Sequence, residues 1–70
     1  MFWWFERGGS YLRCETLEMA SGGYELRIVG PDGTERIERF TDARELTKRQ
    51  CDVIDEVTRD GWTGPHGWHL

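Results

Sequence analysis

The feature that most constrains this chain is the run Phe2-Trp3-Trp4-Phe5. Successive side chains of a strand point to opposite faces, so such a run sets Phe2 and Trp4 on one side and Trp3 and Phe5 on the other. Both faces of that strand are apolar, and both need cover. With 70 residues, 37% of them hydrophobic, the chain has material for one small core and no second domain. A core of that size is marginal and is usually supplemented by a disulfide, a metal or a partner chain.

Away from that run, hydrophobic period divides the chain. Residues 24–29 alternate, with Tyr24, Leu26 and Ile28 on one face and Glu25, Arg27 and Val29 on the other, which predicts a half-buried strand. Residues 11–19 alternate less cleanly, Leu12, Cys14 and Thr16 sharing a face. Gly30-Pro31-Asp32-Gly33 places Pro and Gly where a tight turn needs them, so residues 34–40 are the return strand. Ile37 and Phe40, three apart, cannot both point inward from a regular strand, so a bulge or an early end is expected there. From residue 42 to 60 the period becomes helical, with Ala43, Leu46, Val53, Ile54 and Val57 on one stripe. Asp42 with Glu45 matches a capping box, and Gly61 followed by Trp62 matches a helix stop with a packing aromatic. Residues 63–70 hold too much Gly and Pro for a helix, yet enough aromatics to be ordered by packing. The expected fold over residues 1–70 is a single α+β domain: a four-stranded antiparallel meander, then one long C-terminal helix on one sheet face and an ordered aromatic tail. Its expected core is Leu12, Leu26, Ile28, Ile37, Leu46, Val53, Ile54 and Val57.

Charge narrows the partners. Thirteen acids against nine bases give a formal net charge of −4, which disfavours a dedicated binder of DNA or anionic membrane. No apolar run reaches the roughly 20 residues needed to span a bilayer, and the first aromatic run is too short for a signal peptide. A soluble, cytoplasmic chain is expected, with Cys14 and Cys51 reduced rather than paired.

Residues that carry chemistry are sparse. His66 and His69 have an HxxH spacing, but they lie on a Gly/Pro-rich tail and the two cysteines are far apart, which is not the paired-ligand pattern of a zinc site. Cys14 alternates with apolar strand positions, and Cys51 lies beside Asp52, neither an electropositive setting that would activate a thiolate. The Glu and Arg residues of residues 13–39 interleave as a solvated sheet face does. The glycine-rich turn precedes a strand rather than a helix, so it is no phosphate loop. No catalytic residue, cofactor or metal is expected.

The functional expectation rests on strand one. One helix covers one face of a small sheet, which leaves Trp3 and Phe5 in need of other cover, with Trp68 at or near the border. In a meander, strand one is also an edge without Lys, Pro or a central charge to guard it. The expected function is an interaction or regulatory module acting as a homodimer or accessory subunit, with Trp3, Phe5 and Trp68 at the contact. The alternative is a single-strand nucleic-acid binder that stacks bases on Trp3, Phe5 and Tyr11 while Arg7, Arg13 and Arg27 meet phosphates. Over residues 2–60 the order of four strands and a helix resembles the protomer of the Whirly group and related transcriptional cofactors, which bind single-stranded nucleic acid as dimers or higher oligomers. Gly61-Trp62 after the helix is similar to the helix end of the WGR domain of some DNA-repair proteins, although the Trp-Gly-Arg run itself is missing.

Overall fold

The alternating segments pair in chain order. The computed structural model describes residues 1–67. It contains β1 (Phe2–Arg7), β2 (Ser10–Glu18), β3 (Tyr24–Val29) and β4 (Glu35–Phe40), then α1 (Ala43–Arg59) and β5 (Thr63–His66). The antiparallel sheet runs β4-β3-β2-β1-β5. The fifth strand is what the tail becomes: residues 63–66 add to the free side of β1. Their Gly and Pro content hides them from a strand reading, because Pro is tolerated only where the sheet ends. Trp68, His69 and Leu70 lie outside the described residues.

With β5 in place, β1 is an inner strand, which corrects its expected position at the edge. The true edges are β4 and β5. The first carries Glu35, Arg36, Glu38 and Arg39, and the second is four residues long with Pro65, both devices that discourage edge pairing.

The register decides what is core. Trp3 lies opposite Cys14 and Phe5 opposite Leu12, while Cys14 lies opposite Ile28 and Thr16 opposite Leu26. These positions form one face, and α1 packs on it with Leu46, Gln50 and Val53 buried. Trp3, Phe5 and Leu26 are 0% exposed, and Cys14, Leu46, Val53 and Trp62 complete the buried cluster. Leu12, Ile28, Ile54 and Val57 pack against it, half-buried. Ile37 does not join them: it lies opposite Arg27 on the other face, 43% exposed. β4 continues unbroken to Phe40, which pairs with Tyr24 and packs inward. The three-residue spacing of Ile37 and Phe40 is met by turning Ile37 outward, without a bulge. Glu38 then faces the helix, where Arg49 donates to both its carboxylate oxygens at 2.8 and 3.1 Å.

Both helix ends are closed by local chemistry. The Asp42 side chain accepts from the Arg44 amide at 2.8 Å, satisfying one of the amides a helix start leaves unpaired. At the other end Gly61 takes φ +90°, and the Gly61 and Trp62 amides donate to the Thr58 and Val57 carbonyls, both steps of a Schellman stop. That reversal brings Trp62 into the core.

Candidate interaction face

The face of the sheet away from α1 is built from the alternate residues of the same strands. β1 gives it Phe2, Trp4 and Glu6, and β2 gives it Tyr11, Arg13, Glu15 and Leu17. β3 and β4 add Glu25, Arg27 and Val29, then Glu35, Ile37 and Arg39. The large hydrophobic residues that remain exposed are Met1, Phe2, Tyr11, Leu17 and Ile37, and the last four all lie on this face. No helix covers it among the described residues.

The two halves of the face differ in charge. On β3 and β4 the charges satisfy one another: Glu25 takes Arg39 at 3.5 Å and Arg27 at 3.8 Å, and Arg27 also meets Glu35 at 3.6 Å. Glu25 is almost wholly buried by this arrangement. On β1 and β2 the charges stand among aromatics. Arg13 lies directly opposite Trp4, Glu15 opposite Phe2 and Glu6 opposite Tyr11. None of Arg13, Glu15 or Glu6 makes an ion pair with another described residue.

The aromatics of this half form a small cluster. The rings of Phe2 and Trp4 are 5.9 Å apart, and His66 of β5 lies 5.9 Å from Trp4 on its other side. Gly67 brings bare backbone against the Trp4 indole, where a side chain would collide with it. Trp4 is thereby held half-buried, and Phe2, Tyr11 and Arg13 line a shallow depression with it.

The residues expected at the contact are therefore sorted anew. Trp3 and Phe5 are the covered pair, sealed in the cluster that holds Leu46, Val53 and Trp62, and offer no surface; Phe2 and Trp4 are the outward pair. The alternation is as expected, but the face is exchanged. The signal was present in the turn: a two-residue Gly8-Gly9 loop pairs Arg7 with Ser10, and counting back sets Phe5 against Leu12 and Trp3 against Cys14. Tyr11, Arg13 and Arg27 do share the outer face, but Arg7 does not join them. Its guanidinium donates to the Asp60 carbonyl at 2.7 Å and carboxylate at 2.8 Å and stacks over Trp62, tying the end of β1 to the end of α1.

Other chemistry is muted. Burial pushes the Cys14 thiol up to about 12, so it is neutral and unreactive at ordinary pH. Cys51 lies exposed on α1. Among the described residues no cluster of three His, Cys, Asp or Glu is placed to hold a metal ion, and no helix is long and apolar enough to cross a membrane. No protein family, curated protein or solved structure matches the chain.

Proposed function

We propose that this chain is a small interaction module that acts as a homodimer, using the outer face of β1 and β2 rather than a catalytic site. The observation that carries this reading is the one-sided placement of Phe2, Tyr11, Leu17 and Ile37, each at least 40% exposed, on the sheet face that no helix covers among the described residues. Exposed apolar surface gathered on one face of a domain marks a contact surface, whereas scattered residues do not. A second copy suits this face because it holds charges of both signs, so a two-fold arrangement can set unlike charges of two identical faces against each other. The whole face of five paired strands about six residues long measures roughly 24 by 20 Å, so a contact over it buries on the order of 1,000 Å² in total, the size of a weak, concentration-dependent association.

Sedimentation of the wild type and of Phe2→Glu tests the reading. The wild type should associate in the micromolar range, and the variant should sediment as a monomer with unchanged circular dichroism. A wild type that stays monomeric at about 200 μM would remove the homodimer.

Single-stranded nucleic acid is the second reading, favoured by the Phe2, Trp4 and Tyr11 rings around Arg13, which has no ion-pair partner among the described residues. Four carboxylates share the face, and Arg27 is already engaged by two of them. An oligonucleotide that binds at low salt and weakens steeply as salt rises would establish it over the first.

A further inference from the structure

The outer face is a lattice of rungs, and the rungs specify how two copies meet. Across the strands, Trp4, Arg13, Val29 and Glu35 form one rung, and Phe2, Glu15, Arg27 and Ile37 form the next. In the β1–β2 half these two rungs are complementary: one presents an indole and a cation, the other a phenyl ring and an anion.

We propose that a second copy of the chain packs on this face about a two-fold axis that lies across β1 and β2, midway between those rungs. The inference rests on the homodimer reading above. Such an axis exchanges the rungs, so that each strand lies over its own copy, running oppositely. Arg13 then meets Glu15 of the second copy, and Trp4 meets Phe2 of the second copy. By the same operation Tyr11, one rung outward, meets Leu17. A single symmetry element thus gives Arg13 and Glu15, which find no ion-pair partner among the described residues, an opposite charge, and gives each exposed ring an apolar neighbour.

Neighbouring placements fail on the same residues. An axis through the Trp4–Arg13 rung sets Arg13 against itself, and one through the Phe2–Glu15 rung sets Glu15 against itself; like charges so placed destabilise an interface. An axis running along the strands between β1 and β2 sets Phe2 against a carboxylate. Packed sheets rotate by about 30° relative to each other, so with the centre on β1 and β2 the outlying β3 and β4 are turned out of alignment with their copies. Those are the strands whose charges are already paired within the chain. The contact is therefore centred on the half of the face whose Arg13 and Glu15 have no ion-pair partner among the described residues.

Charge exchange tests the axis. Sedimentation equilibrium would be run on the wild type, Arg13→Glu, Glu15→Arg and the double variant, with circular dichroism melts of each at low concentration to establish folding. Each single reversal should raise the dimer Kd by about tenfold or more, and the double variant should return to within about threefold of the wild type. If the wild type dimerises but the double variant is as weak as its parents, the axis is wrong while the homodimer stands. If Glu15→Arg tightens the dimer, the axis along the strands replaces the one proposed. A monomeric wild type overturns the homodimer itself, and the axis with it.

Discussion

The four aromatics of β1 meet two fates. Trp3 and Phe5 are 0% exposed, while Phe2 is 47% exposed and Trp4 is half-buried beneath Gly67. The two pairs are chemically alike, one Phe and one Trp each, so the difference does not come from β1. It comes from the neighbouring strands: Leu12, Cys14, Leu26 and Ile28 continue the face of Trp3 and Phe5, whereas Arg13, Glu15 and Arg27 continue the face of Phe2 and Trp4. An amphipathic helix settles where three strands together offer apolar surface. A strand that is apolar on both sides takes its inside and outside from its partners.

The largest effect that can break this contrast is in the core. Trp3→Ala or Phe5→Ala should cost about 3–5 kcal/mol, and Leu26→Ala about 2–5 kcal/mol, measured by urea or thermal unfolding. Losses of that size approach the whole stability of a small domain, so partial unfolding at room temperature is the expected outcome. If Trp3→Ala and Phe5→Ala melted like the wild type, the buried and exposed pairs would be misassigned.

A smaller effect separates the two sides of the sheet by pH. Glu38 faces the helix, and its hydrogen bonds with Arg49 hold its carboxyl below the ordinary value, against the opposing pull of burial. A carboxyl depressed in the folded state binds its proton more readily when unfolded. The stabilisation is therefore fully present above about pH 4.3 and is lost as pH falls through the lower folded value. Both side chains keep about a quarter of their exposure, so solvent screens the pair and about 1 kcal/mol is at stake. Glu38→Gln should be less stable than the wild type at neutral pH, and the gap should narrow in acid. A gap that stayed constant from pH 7 to about pH 3 would show that the ion pair contributes nothing.

Much of the architecture was legible in the chain. Strand β3 could be bounded from Tyr24 to Val29 by its alternation, and the α1 start at Asp42 and stop at Gly61 follow from capping chemistry that depends on a few adjacent residues. What escaped depends on distant partners. β5 is a strand only because β1 offers it a free side, and its centre is Gly64-Pro65, two residues that strands disfavour. Ile37 reads as core by type, yet its parity along β4 places it opposite Arg27. The proposed contact surface lies on the expected strand but on its other side, because which face of β1 is buried is fixed by the Gly8-Gly9 turn, which sets Phe5 opposite Leu12 and Trp3 opposite Cys14.

The smallest effect is the sharpest test of the outer pair. Phe2→Ser removes a ring that is about half in water and touches Trp4, so for the isolated chain it should cost only about 0.5–1 kcal/mol. Association changes that figure, since a ligand that binds only the folded state raises stability with its own concentration, and here the ligand is a second copy. The wild-type melting temperature should therefore climb as the protein is concentrated from about 1 to about 200 μM. The Phe2→Ser curve should stay flat, starting close to the wild type and falling behind it as concentration rises. Trp3→Ala should behave in the opposite way, starting far below and remaining so at every concentration. Should Phe2→Ser be as damaging as Trp3→Ala at the lowest concentration, Phe2 would belong to the core and the two faces of β1 would not differ in kind.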